Sequence, residues 1–285
     1  MGSSSAGSGN YNVPLAVRVH PAYPFKMRLL LLVPLFGLVA CKRPPEAPQA
    51  LDDLVGYLYA HHQDEEPDAM EAGTLNLSVW LDANIDETME GYTVNNLSQE
   101  AVDALDDGER DLSGLNGAAV GHISTFRADD VGVVVATTEP TEVYPDTYTE
   151  YTREFKTDPA CFVNAECEFL EFDAHSTTDW PLGLSVTTDT DVQFRWVETD
   201  LGLALIQRSW LHEAGEVNVD WLTVDQEYYL WAFLPTADGG HRNVQATWIV
   251  ATLSGSSVPE NAALQLVIGS MSKTAETLDE FLETR

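Results

Sequence analysis

The chain has 285 residues, 44% of them hydrophobic and 9% aromatic, which is enough apolar material for a sizeable core. Its 46 acidic residues outnumber 14 basic ones, for a formal net charge of −32. A chain this acidic repels a polyanion and has no basic stripe to offset the repulsion, so nucleic acid is excluded as an expected partner.

Lys26 and Arg28 place positive charge beside Met27, and Leu29 to Val39 form an apolar run of about eleven residues. That length suits an export signal and is too short to span a bilayer. The run ends in Leu38-Val39-Ala40-Cys41, which resembles the lipobox of bacterial lipoproteins. The resemblance implies a signal peptide over residues 27–40, cleavage before Cys41 and a lipid on its sulfur. It also implies an address in the cell envelope, at the outer membrane facing the periplasm or at the cell surface, with the membrane as partner. Pro34 and Gly37 inside the run weigh against a buried helix there. Residues 1–26 precede the signal and read as an extension from a mis-assigned start codon. Residues 41–73 read as a tether rich in proline followed by a short helix, Leu51 to His62, with Leu51, Leu54, Val55 and Leu58 on one face. His61 and His62, adjacent on a helix, do not converge on a metal and read as a solvated helix end.

With Cys41 assigned to lipid, Cys161 and Cys167 remain, and their close spacing in an exported chain predicts a loop disulfide. No cofactor or metal signature is present. Ser270-Met271-Ser272-Lys273 matches S-x-x-K but falls in mid-helix without companion motifs. Asp189-Thr190-Asp191 has calcium-loop spacing without the Gly and distal Glu of such loops.

From Thr74 onward a single domain, residues 74–285, is expected. Thr74 to Leu81 alternates Leu75, Leu77 and Val79 with polar neighbours and predicts the first strand. Leu97 to Leu105 predicts a helix ended by Asp106-Asp107-Gly108. Ala119 to Arg127 and Val131 to Thr138 predict a hairpin joined by Ala128-Asp129-Asp130. Glu139 to Lys156 is rich in Tyr and Thr and fits no period, and Ala165 to Asp173 suggests a strand. The densest β pattern follows, with Phe194 and Trp196, then Trp210, then Val217 to Trp221. Next come Tyr229, Trp231 and Phe233, and finally Trp248 between Gln245 and Val250. The chain closes on Ser257, Pro259 and Glu260, a helix start. Leu264, Ile268, Met271, Ala275, Leu278 and Leu282 then form one apolar stripe along a helix of about 25 residues.

This order predicts an α+β domain, a curved antiparallel sheet wrapped on a long C-terminal helix. The order, with the closing segments Tyr228 to Pro235 and Phe281-Leu282, resembles the helix-grip fold of the START and polyketide-cyclase superfamily (SRPBCC). The resemblance covers about Thr74 to Leu282 and implies an apolar cavity between sheet and helix. The expected function is therefore a monomeric, non-catalytic, lipid-anchored protein that binds a hydrophobic molecule or lipid. Candidate ligand contacts are Phe194, Trp196, Trp210, Tyr229, Trp231, Phe233, Trp248, Ile268 and Met271. A structural or interaction lipoprotein with a solid core is the alternative. A cyclase- or hydrolase-like enzyme would need a polar group in the cavity, for which Arg195, Arg208 and His212 are candidates.

Overall fold

The computed structural model describes residues 46–105, 110–180, 183–253 and 262–285. The lipobox with Cys41, the helix stop at Asp106-Asp107-Gly108 and the helix start at Ser257–Glu260 lie outside them, as does the side chain of Leu264. A nine-stranded antiparallel sheet has helices on both faces. Its order is β1 (Tyr92–Val94), β2 (Asn116–Ser124), β9 (His241–Leu253), β8 (Leu222–Pro235), β6 (Gly202–Leu211), β5 (Leu184–Thr199), β4 (Phe169–Trp180), β3 (Tyr148–Phe155), with the short β7 (Glu216–Val217) on β5.

Side-chain alternation on the central strands sorts residues between two cores. On the outer face, Ala204 and Ile206 of β6, Tyr228, Leu230 and Ala232 of β8 and Val244, Ala246 and Trp248 of β9 pack with α1 (Leu51–His61) and α2 (Asp68–Met89). On the inner face, Phe194 and Trp196 of β5, Leu205 of β6 and Trp231 and Phe233 of β8 meet α4 (Ala128–Thr137), α6 (Pro159–Val163) and α7 (Ala262–Glu283). The fold is α+β: a curved antiparallel sheet gripping a long C-terminal helix, with a second helical layer behind it. On α7, Met271, Ala275, Leu278 and Leu282 are buried as the stripe predicts, and Ile268 is half-buried.

Several expectations are corrected. Thr74 to Leu81 is the middle of α2. Its Leu75 and Val79 are exposed, whereas Met70, Leu77 and Leu81, at helical spacing with Thr74, are buried. The alternation was a short coincidence inside a 22-residue helix. Val131 to Thr138 belongs to helix α4 although four of its residues are valine; Asp129 and Asp130 lie in its first turn, and the Arg127 N–H donates to Asp130 Oδ2 at 3.2 Å. The segment without a period holds a one-turn helix, α5 (Pro140–Val143), and then β3.

The helix placed in the tether is α1, and it is core. Leu51, Leu54, Val55, Leu58 and Tyr59 are wholly inaccessible to solvent. His62, expected at a solvated end, is also fully buried, its Nε2 3.0 Å from the Ile206 carbonyl. The expected short helix at Leu97 is α3 (Gln99–Asp103), capped by the Ser98 hydroxyl, which accepts from the Ala101 N–H. Val217 to Trp221 contributes only Val217 to the two-residue β7, and Trp221 is exposed. Cys161 and Cys167 form the predicted disulfide, Cα atoms 5.3 Å apart, at the end of α6.

Candidate functional site

A cavity of about 310 Å³ lies between the inner sheet face and α4, α5 and α7. Its walls come from every layer that faces it. Strands β3, β4, β5 and β8 supply Tyr148, Tyr151, Phe172, Phe194, Tyr229 and Trp231, and the helical side supplies Val134, Tyr144, Val267 and Met271. Among the expected ligand contacts, Phe194, Trp210, Tyr229, Trp231 and Met271 line it. Trp210 belongs to its rim, but its side chain packs with the outer core, 5.4 Å from the Arg208 guanidinium.

The other expected contacts are core. Trp196 stacks on Phe162, centroids 4.9 Å apart, and donates its Nε1–H to the Phe162 carbonyl. Phe233 is fully buried between Trp231 and His241. Trp248 lies on the outer face, edge-on to Tyr59, and donates to the Asn95 carbonyl at 2.8 Å. Ile268 packs with Met271, Ala118 and Val120 beside Gly91.

None of the three polar candidates for catalysis reaches the cavity. Arg195 is buried under the outer layer, donating to Glu168 Oε1 at 2.6 Å and to the His62 carbonyl. Arg208 donates to Gln193 Oε1 and to the Tyr59 carbonyl. His212 lies with Asp173 and Asp191, whose carboxylates hold the Lys156 ammonium at 2.6 and 2.7 Å. That ammonium already supplies the positive charge a cation would bring. Asp189 to Asp191, considered for calcium, is interior to strand β5 rather than a loop. Ser270, at the edge of the cavity, and Lys273 are both exposed in mid-helix, unlike the buried helix start that S-x-x-K chemistry uses.

The polar lining is what the sequence did not disclose. Gln207 and Ser209 of β6, Glu227 of β8 and Gln245 and Thr247 of β9 all face inward. They occupy the alternate positions that usually meet water on a half-buried strand, but here α1 and α2 cover the opposite face. Some are tied into a frame: Tyr229 donates to Gln245 Oε1 at 2.6 Å, and Gln245 Nε2 donates to the Met271 carbonyl at 2.8 Å. Next to it, Trp231 Nε1 donates to Asn243, whose amide donates to His241 Nε2, and His241 Nδ1 donates to the Phe126 carbonyl. Burial holds His241 neutral by pushing its pKa down, consistent with that chain of bonds.

Burial also raises the phenols. Tyr148 is pushed up to about 12, and Tyr144, Tyr151 and Tyr229 are raised as well, so all four stay neutral hydrogen-bonding groups at ordinary pH. Burial raises the Glu227 carboxyl, opposed by a hydrogen bond from Thr247. Glu227 is half-buried, since it lines the cavity and not a packed core. The run of Tyr144, Tyr148 and Tyr151 was a possible signal: four- and three-residue spacing of one amphipathic residue type just before and within a strand.

No protein-family model and no curated protein matches the sequence. Solved structures are similar in chain path. A STAR-related lipid transfer protein from Xanthomonas axonopodis aligns with 16% identity over 61% of this chain and 96% of its own, at a TM-score of 0.39. A START superfamily protein from Mycobacterium smegmatis aligns with 6% identity over 59% of this chain and 97% of its own, at a TM-score of 0.38. Each comparison takes in nearly the whole of the neighbour and leaves a large part of this chain outside.

Proposed function

We propose that this chain binds an apolar small molecule or lipid in the cavity between its sheet and its C-terminal helix, without catalysis, while Cys41 anchors it to the membrane of the cell envelope. The observation that carries the reading is the cavity itself. About 310 Å³ lies inside the sheet-and-helix grip, and its walls combine aromatic rings with a few fixed polar groups. That is the usual composition of a small-molecule site. A solid core, the arrangement a scaffold needs, has no use for such a space. The anchoring half rests on the lipobox Leu38-Val39-Ala40-Cys41 and the apolar run before it.

Native mass spectrometry of the protein purified under mild conditions tests the binding half, with Thr190→Phe as the blocking variant because Thr190 lines the cavity from β5. The expected result is an apolar adduct on the wild type that is depleted at least tenfold on the variant. An apo wild type that also fails to take up an added fatty alcohol refutes it. Metabolic labelling with a radioactive fatty acid, lost in Cys41→Ala, tests the anchor; equal labelling of both chains refutes it.

A further inference from the structure

Charge is unevenly spent around the cavity. Among the described lining residues the charged ones are Arg153, Asp179 and Glu227. Asp179 is exposed. Arg153 is committed elsewhere: its two terminal nitrogens donate to the Val135 and Thr138 carbonyls at 2.6 and 3.0 Å, capping the C-terminal end of α4. Glu139 pairs with it at 3.5 Å, and its guanidinium lies against the rings of Phe155 and Phe172. Glu227 is different. Among the described residues its carboxylate pairs with no cation, and the Thr247 hydroxyl beside it donates to the Tyr228 carbonyl at 3.4 Å.

Around Glu227 the surface is electron-rich. Glu227 and Tyr229 are alternate residues on the inner face of β8, Tyr144, Tyr148 and Tyr151 line the same cavity, and the Glu227 charge helps to raise the Tyr148 and Tyr229 phenols. Tyr144 meets Tyr148 edge-on at 6.0 Å, Tyr148 meets Tyr151 at 4.9 Å, and Tyr229 meets Trp231 at 6.3 Å. The hydroxyls of Tyr144, Tyr148 and Tyr151 have no hydrogen-bond partner among the described residues and open onto the cavity. Aromatic faces attract cations through the ring quadrupole, phenol oxygens accept from N–H donors, and the half-buried Glu227 carboxylate has no countercharge among the described residues. All three ask for the same ligand group.

We propose that the cavity selects an organic ammonium ion carrying an apolar body, with the cationic head held by Glu227 and the tyrosines Tyr144, Tyr148 and Tyr229 and the body against Phe194, Phe172 and Val134. This rests on the apolar-binding reading above and specifies the ligand's polar end. An anionic amphiphile, the opposite choice, would place its head beside Glu227, and Arg153 offers it only the buried Nε, its terminal nitrogens being held by the Val135 and Thr138 carbonyls.

Isothermal titration of the full chain with octylammonium, 1-octanol and octanoate at pH 7.5 and 0.3 M NaCl tests it, since the salt screens the acidic exterior. Glu227→Gln and Tyr148→Leu are compared with Glu150→Gln, an exposed acid on β3 that controls for general attraction to the surface. The expected result is one octylammonium per chain, bound at least tenfold tighter than octanol. Glu227→Gln abolishes that preference, Tyr148→Leu weakens it, and Glu150→Gln leaves it intact. Equal binding of all three probes, a preference for octanoate, or a cation preference that survives in both cavity variants overturns the ammonium inference while leaving apolar binding standing. Failure of every probe to bind at unit stoichiometry overturns both.

Discussion

His62 makes stability depend on pH in a direction that can be worked out in advance. The ring is wholly buried after α1, its Nε2–H donating to the Ile206 carbonyl at 3.0 Å, while Nδ1 has no partner. Protonating Nδ1 would bury a second N–H without an acceptor and place a positive charge near Arg208 and Arg195. Burial first, and those guanidinium groups after it, therefore hold the pKa well below its usual value; the Ile206 bond only partly opposes them. The unfolded chain takes up this proton at about pH 6.5, whereas the folded chain resists it. Because the folded-state pKa is depressed, the neutral ring costs nothing above about pH 6.5, and stability is lost as pH falls below that value toward the folded pKa. The slope is about 1.4 kcal/mol for each pH unit in that window, so moving from pH 7.5 to 5.5 removes about 1.4 kcal/mol through this residue alone. Urea unfolding of the wild type and His62→Gln at both pH values isolates the effect, since carboxylates and His241 contribute alike to both chains. The variant should lose about 1.4 kcal/mol less than the wild type. In parallel, the His62 ring proton in the NMR spectrum should show no titration between pH 8 and 5.5. A ring that titrates near 6.5, or equal pH losses in both chains, refutes the reasoning.

Gly132→Ala should destabilise by about 1–3 kcal/mol in chemical denaturation, because a Cβ there overlaps the Trp196 ring, which is fixed by its stack on Phe162 and its bond to the Phe162 carbonyl. Lys156→Met should cost about 1 kcal/mol at pH 7, discounted for the partial exposure of Lys156 and Asp173. That penalty should shrink below about pH 5, where Asp173 and Asp191 can share a proton; a cost independent of pH in urea melts would contradict it. Reducing Cys161–Cys167 with dithiothreitol should lower stability by about 2 kcal/mol, given the short loop closed, and an unchanged melting temperature would argue against the constraint.

The β pattern from Phe194 to Trp248 was legible because period-2 alternation survives when two different cores lie on the two faces. What alternation cannot report is which face holds which core. Phe194 and Trp196 share a face as expected, but only Phe194 reaches the cavity, because Gly132 and Phe162 bring helices onto Trp196. Trp248 carries the same signal from the opposite face. Helices α2 and α4 carry strand-like sequence patterns for a related reason. Leu75, Leu77 and Val79, or a run of valines, look extended until tertiary packing decides, and β-branched residues lower helix propensity by only a few tenths of a kcal/mol each. His62 and Glu227 were illegible as interior residues, since a polar side chain in sequence gives no sign of the layer that will cover it.

The bond from Gln245 to the Met271 carbonyl also has a mechanical meaning. Farther along α7, Asp279 accepts from the Ser124 hydroxyl at 2.7 Å and pairs with His122 at 2.9 Å. The C-terminal half of the helix is therefore bolted to β2, while the cavity opens beneath Val267, Ser270, Met271 and Thr274. From Asp279 to Val267 the helix forms an arm about 18 Å long at 1.5 Å per residue, which lies over the cavity and is held on β2 by Ile268 and Met271. A tilt of about 3° about Asp279 lifts Val267 by roughly 1 Å at the end of that arm. Lifting that arm costs the Gln245–Met271 bond and the packing of Ile268 and Met271 on Ala118 and Val120, and leaves the Asp279 anchor as it is.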